Sequence, residues 1–266
     1  MNFQLLKNHS RLGVLHQRIQ SSRRFAFKHL IVSFSIALLC SVLVFAIWYP
    51  YPFNEIAGGK DLFRILVFVD VIIGPLLTLI VYNPKKPALE LWRDIGIIIS
   101  LQITALAYGL HSTYISRPVF VGFEGDRFRM VRIVDIQNTN NRGNIDYDIL
   151  DGPEPIGVKL AKSTDKDFLE SIKLAVDGLH PAFRPSRWVK YEEQKDLVVQ
   201  QVKPISQLKE KHPKDVIRIN DMLQKVAVNE GELGFLPLIA GKSTNWVAIV
   251  NTSDGSILSF LPFDGW

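Results

Sequence analysis

The sequence predicts a membrane protein with three N-terminal transmembrane α-helices followed by an α+β soluble domain with a small antiparallel sheet. Three observations lead there. Three long apolar runs lie within the first 116 residues, basic residues crowd the approach to the first run, and strand and helix signals mix beyond Arg117.

The run from Leu30 to Tyr49 is twenty residues without a charge, the length a helix needs to cross about 30 Å of hydrocarbon. A second run, Leu62 to Tyr82, holds Gly74, Pro75 and two ionisable residues, Arg64 and Asp70, while a third, Ile95 to Ile115, holds only His111. The expected spans are therefore about 30–49, 62–82 and 95–115, between a basic segment at 1–29 and a domain at 117–266. A hydrophobic fraction of 47% agrees with a membrane component.

The net charge of +5 is unevenly spread. Residues 1–116 carry 11 Lys and Arg against 5 acids, and residues 117–266 carry 20 against 21, so the soluble domain is nearly neutral and no nucleic-acid footprint remains. Lys7, Arg11, Arg18, Arg23, Arg24 and Lys28 precede Leu30 without an intervening acid. The positive-inside rule then places the N-terminus in the cytoplasm, the Pro50–Asp61 loop outside, Asn83–Asp94 inside and the 117–266 domain outside. In a bacterium that is the periplasm. A cleaved signal peptide is disfavoured, because the first run is long for one and Ala46–Pro50 offers no small-x-small cleavage pattern. Cys40 is the sole cysteine and lies in the first span, so the outer domain must fold on its core without a disulfide.

Asp70 falls near mid-depth of the second span, where an ionised group costs a few kcal/mol and needs a partner or a proton. Asp70, Gly74 and Thr78 share one helical stripe, and Gly96, Ser100 and Thr104, with Gln102 nearby, form another on the third span. The two stripes are expected to pack together, with Asp70 finding a hydroxyl or amide. Pro75 is expected to bend the helix and free a backbone carbonyl for a neighbour to satisfy. A proton relay would need a ladder of ionisable groups, and Arg64 lies off the Asp70 face. Trp48, Tyr49 and Tyr51 at the exit of the first span and Trp92 at the entry of the third read as interface anchors.

In the outer domain, Arg117–Gln137 reads as two strands, with Val119, Val121, Phe123, Phe128, Met130 and Val134 alternating around a turn at Glu124–Asp126. An Asn- and Gly-rich loop follows near Asn138–Asn144. Thr164 with Asp167 suggests a capping box opening a helix with Phe168, Ile172 and Ala175 on one face, which stops at Gly178. Tyr191–Val202 and Pro213–Val228 read as further helices, the latter burying Val216, Ile219, Met222 and Leu223. Strands at Gly234–Ile239, Trp246–Asn251 and Ser256–Leu261 close the domain, with Asp254-Gly255 as a hairpin turn.

No catalytic constellation emerges. His180 and His212 each precede a proline without a nucleophile, an HExxH spacing or a cysteine ligand, and Gly241-Lys242-Ser243 lacks the glycine a Walker loop requires. Asn251-Thr-Ser fits a glycosylation sequon at a hairpin end and carries little meaning in a bacterium.

Four strings carry a family resemblance: WYPYPF at Trp48–Phe53, DLFRILVFVDVIIGPLLTLIVYNPKK at Asp61–Lys86, LELWRDIGIIISLQITALAYGLH at Leu89–His111, and RPVFVGFEGDRFRMVRIVDI at Arg117–Ile136. With GFLPLIAGK and the closing Pro262–Trp266, they resemble the type IV pilin accessory family of the TfpX/TfpZ kind. The Val69–Thr78 element, with Asp70, Gly74, Pro75 and Thr78, and the Asp126-Arg127-Phe128 element are its most family-like parts. The resemblance implies a non-enzymatic inner-membrane protein, without cofactor or metal, that assists pilin assembly or pilus dynamics. Its implied partners are type IV pilin, the assembly platform and the lipid bilayer, with no nucleic acid. The rival readings are a periplasmic ligand sensor, for which the short cytoplasmic segments supply no signalling domain, and a membrane enzyme or transporter using Asp70.

Overall fold

The computed structural model describes residues 3–138, 145–226, 228–241 and 243–266, with side chains from Gln20 onward apart from Leu62. The loop at 139–144, the side chains of Lys7, Arg11 and Arg18, and Lys242 lie outside the described residues. The chain divides into two compact units, Met1–Ala46 with Gly59–Tyr114 and Ile47–Gly58 with Ile115–Trp266.

The first unit is a helix bundle. α1 (Phe3–Val42) continues through a π turn at Leu43–Trp48, and the short α2 (Phe53–Ile56) belongs to the second unit. α3 (Gly59–Val67) runs through a π turn at Phe68–Ile73 into α4 (Gly74–Val81), and α5 (Ala88–Ile115) follows. Three helical stretches, Gln20–Trp48, Gly59–Val81 and Ala88–Ile115, are long and apolar enough to cross a membrane. Phe27, Ile31, Leu39, Ile65 and Leu101 point outward, as expected of side chains solvated by lipid.

Cross-helix contacts fix the directions. Ser22 Oγ donates to the Tyr82 carbonyl at 2.9 Å, Phe25 stacks on Tyr82 at 4.6 Å, and Phe45 meets Phe63 edge-on at 5.1 Å. One residue number falls as the other rises, so the first two helices are antiparallel. At the turn before the third helix, Lys86 pairs with Asp94 at 2.6 Å and Glu90 at 3.4 Å.

The second unit is built on eight strands: β1 (Pro118–Phe123), β2 (Phe128–Arg132), β3 (Glu154–Val158), β4 (Trp188–Lys190), β5 (Lys203–Pro204), β6 (Leu233–Ala240), β7 (Ser243–Asn251) and β8 (Ile257–Leu261). Their order is β4-β3-β1-β2-β6-β7-β8, with β5 paired to β6. The sheet is mixed, which corrects the expected small antiparallel one. β1–β2, β6–β7 and β7–β8 are antiparallel hairpins, whereas β1–β3 and β2–β6 pair in parallel. Hairpin turns are written locally and dictate antiparallel neighbours. The β2–β6 junction joins two hairpin modules across a connection of about a hundred residues, and no local signal sets its direction. β3 went unread because it is short and contains Pro155 and Gly157 in place of an apolar alternation.

The sheet is covered on both faces. On one side α2 brings Phe53 and Ile56 against Val121, Phe123, Phe128, Met130, Leu236 and Leu238. On the other, α8 (Ile205–Lys211) and α9 (Val216–Leu223) bury Ile205, Leu208, Ile219 and Leu223 on Phe235, Val247 and Ile249. A third cluster joins Val119, Phe120, Val131, Ile156 and Trp188. All six residues of β1 are consequently buried, and Val134, expected in a strand, is exposed in a 3-10 turn. The bend at Gly255, with φ of 72°, takes the left-handed backbone that its hairpin turn needs, and Asp254 Oδ1 accepts the Ser256 N–H at 2.9 Å.

α6 (Phe168–Val176) begins four residues later than the capping-box reading placed it, because Asp165 Oδ2 accepts the Lys162 N–H at 2.8 Å in a preceding turn. Ile172 is exposed, and the buried position is Ser171, whose Oγ accepts from Arg184 at 2.7 Å. α7 (Lys195–Gln201) and α9 fall inside their expected stretches, while α8 was not anticipated.

Two predictions follow from this packing. Phe128 is fully buried between Phe123, at 5.7 Å, and Tyr191, at 6.3 Å. Phe128→Ala should cost about 3–5 kcal/mol, read as a lowered thermal midpoint of the full-length protein in detergent. The second concerns His180. Burial lowers its pKa below the ordinary 6.5, Arg129 adds repulsion and Glu124 partly offsets it. The unfolded chain then binds more protons near that pH, so His180's stabilising share is present above pH 6.5 and is lost as pH falls below it. A stability–pH profile should show this slope, and His180→Gln should flatten it.

Candidate functional site: the bundle cavity around Asp70

The second bundle helix carries the site, and its local geometry follows from one proline. In the π turn the Gly74 N–H reaches back to the Val69 carbonyl, so the next position, Pro75, would serve the Asp70 carbonyl if it had an N–H. It has none, and Gln102 on α5 supplies the missing donor, its Nε2 standing 3.2 Å from that carbonyl. Gly74 makes the approach possible, since a Cβ there would lie 1.9 Å from Gln102 Nε2. The carbonyl that Pro75 was expected to free is therefore satisfied across the bundle.

Asp70, Gly74, Pro75 and Thr78 are all buried. The stripe faces the chain's own first and third helices, and on the first helix His29 Nδ1 lies 2.6 Å from Thr78 Oγ1. The expected partner stripe does not meet it: Gly96, Ser100 and Thr104 are exposed, and Thr104 bonds the Ser100 carbonyl of its own helix. Gly109 and Gln102 make the close contacts instead, Gly109 lying against Leu66. Helical spacing identified the stripes, but the rotation of the third helix depends on side-chain packing that spacing does not contain.

The Asp70 side chain is only 8% exposed, and neither carboxylate oxygen has a hydrogen-bond partner among the described residues. Beside it lies a cavity of about 400 Å³ bordered by His29, Ser33, Ile36, Asp70, Ile99 and Gln102. Lys28 and Thr78 also line it, and the rest of the wall is apolar, which suits a hydrocarbon-rich occupant with a polar end. His29 and Gln102 were not identified as site residues from the sequence. The run of basic residues masked His29, and Gln102 was noted only as lying near its stripe.

The Asp126-Arg127-Phe128 element separates into two roles. Phe128 is core. Asp126 and Arg127 pair at 2.6 Å on the hairpin turn, and the Arg127 guanidinium sits 4.5 Å from the Trp266 ring centre. The closing segment is further held by Lys203, donating to the Gly265 carbonyl at 3.3 Å, and by His212 at 2.8 Å from the Asp264 carbonyl. Nearby, Glu124 and Arg129 form a buried pair at 2.7 Å, with Glu124 also accepting the Ala182 N–H at 2.9 Å. Breaking such a pair on one side leaves a buried charge, which gives it a structural role. Among the described residues no group of three or more His, Cys, Asp or Glu is placed to hold a metal ion.

Comparison with known proteins adds a family. The family described as Fimbrial assembly protein FimB matches residues 17–58. The fimbrial assembly protein of serogroup E1 from Dichelobacter nodosus is 32% identical over 88% of this chain and 93% of its own length, and that of serogroup I is equally similar. The protein of serogroups C1 and C2 is 38% identical over 45% of this chain. These similarities support fimbrial assembly and do not carry the narrower TfpX/TfpZ designation. No solved structure matches the chain.

The site geometry predicts opposite outcomes for two substitutions. Gly74→Val forces Gln102 off the Asp70 carbonyl and should lower the thermal midpoint of the purified protein. Asp70→Leu removes a carboxylate without a partner and should raise it, by roughly 1–3 kcal/mol of stability. A fall with Asp70→Leu would show that the carboxylate holds the bundle together.

Proposed function

The chain belongs to the fimbrial assembly protein family, and from that premise we propose that it is a non-enzymatic inner-membrane accessory of type IV pilus biogenesis that binds pilin subunits or the assembly platform. The carrying observation is the near full-length match to fimbrial assembly proteins, 88% of this chain against 93% of the relative. It takes in the helices as well as the soluble domain, so both belong to the shared task.

The membrane reading is supported by the three apolar helices and by the arrangement of the second unit. Segment 47–58 links the first two helices, and residues from 115 follow the third, yet they share one hydrophobic core. A shared core supports placing both on one side of the bilayer, the arrangement that three crossings produce. The basic N-terminal segment favours the cytoplasm for the opposite side and the periplasm for the domain.

Because the Asp70 stripe faces inward, the contact surface in the membrane is the rim of the adjoining cavity, where Val32, Ile36, Ile99 and Ile103 are partly exposed. A pilin subunit, held in the membrane by an apolar helix, has the chemistry to rest there. Photo-crosslinkers at Ile36 and Ile99 in piliated cells should capture pilin or a platform component, with Leu169 on α6 as a control. Capture of neither at the two rim positions would overturn the binding role, and Asp70→Asn with retained piliation would remove the carboxylate from it.

A further inference from the structure

The last residues of the first apolar stretch and the residues that follow the third belong to the second unit, and within it both grip the same loop. Trp48, the last residue of the first stretch, is buried and donates its Nε1–H to the Ile149 carbonyl at 2.9 Å. Arg117 stands two residues past Ile115, the last residue of the third stretch, and its fully buried guanidinium donates to the Asp151 carbonyl at 2.6 Å and to the Asp148 carbonyl. Gly152 lies 3.7 Å, measured from a Cβ position, from the Ile47 carbonyl. The loop also closes on itself, the Asp151 N–H donating to the Asp148 carbonyl at 3.2 Å.

Chain length decides where this loop sits. Two residues span about 7 Å at most, and the headgroup layer on each side of the hydrocarbon is roughly 5–8 Å deep. A loop bonded to Trp48 and Arg117 is thus held at the bilayer surface. Its two central side chains face away from the protein core, Ile149 at 50% and Leu150 at 64% exposure. Val134 joins them at 55%, because the neighbouring Ile133 N–H bonds the Arg117 carbonyl at 3.3 Å.

We propose that Val134, Ile149 and Leu150 form a lipid-binding edge of the soluble domain, dipping into the interfacial layer of the membrane that the helices cross. Burying these side chains in the acyl boundary removes apolar area from water, and the charge-assisted grip of Arg117 holds the loop backbone in place to do so.

The test uses the full chain in lipid nanodiscs with Cys40→Ser and single cysteines at Leu150, Ile149, Leu39 and Leu169, each carrying an environment-sensitive fluorophore. Leu39 is outward on the first helix and reports whether that helix spans; Leu169, 78% exposed on α6, is an apolar comparison site outside the proposed edge. The expected result is quenching of Leu150 and Ile149 labels by nitroxide lipids spin-labelled near the headgroup, with little quenching by aqueous iodide, and the reverse at Leu169. Leu150 and Ile149 labels as open to iodide as Leu169, while the Leu39 label is quenched by deep nitroxides, would overturn the edge and leave the membrane reading standing. A Leu39 label open to iodide would overturn both. Protection of Leu150 only when pilus components are added would also overturn the proposal, assigning the patch to a protein partner.

Discussion

A backbone carbonyl without a donor, deep among apolar helices, is the constraint that organises the bundle. Hydrocarbon offers no hydrogen bonds, so a proline in a membrane helix obliges the protein to provide one. Here Pro75 leaves the Asp70 carbonyl open, Gln102 fills the vacancy, and Gly74 gives Gln102 the room to reach it. The three requirements are mutually dependent: a larger side chain at 74 excludes the amide, and loss of the amide strands the carbonyl. The contact goes with a rotation of the third helix that turns Gln102 inward and leaves Gly96, Ser100 and Thr104 outward.

The soluble domain is discontinuous in sequence and obeys a related logic. Its core cannot close with residues from 115 onward alone, because Phe53 and Ile56 fill one face of the sheet against Phe123, Phe128 and Leu238. The segment that supplies them is also where the first helix ends. Nucleating that core therefore requires contacts between positions some seventy residues and more apart, a topology that folds slowly unless the intervening helices are already ordered. Helices formed early would bring both pieces together and shorten that search. The family match at residues 17–58 covers most of the first helix together with this segment.

Sequence reading recovered what local pattern encodes. The three apolar stretches, the β1–β2 and β7–β8 hairpins and the inward stripe of α9 are all local. What it missed depends on distant partners. The parallel pairing of β2 with β6 leaves no trace in either strand, and Arg117, read as the start of a strand, proved to be a buried guanidinium tied to carbonyls more than thirty residues away. The candidate site was half legible. Asp70, Gly74, Pro75 and Thr78 stood out because a charge, a glycine and a proline are unusual in an apolar helix. Their neighbours His29 and Gln102 come from helices whose facing sides only packing determines.

Asp70 is a group that packing alone does not explain. Its neighbours take other bonds: His29 contacts Thr78, and Gln102 serves the Asp70 carbonyl in preference to the carboxylate. A leucine would fill the same space with no polar atom to satisfy, so packing alone gives no reason for a carboxylic acid at this depth. Proteins tolerate such local losses where a site needs them, and polar groups inside membrane helices are retained mainly for tasks that apolar residues cannot perform. The unpaired acid borders a largely apolar cavity, so no polar group among the described residues offsets its burial. The soluble domain contrasts with it, since its buried charges, Glu124 with Arg129 and Arg117 with two loop carbonyls, are each answered by a partner.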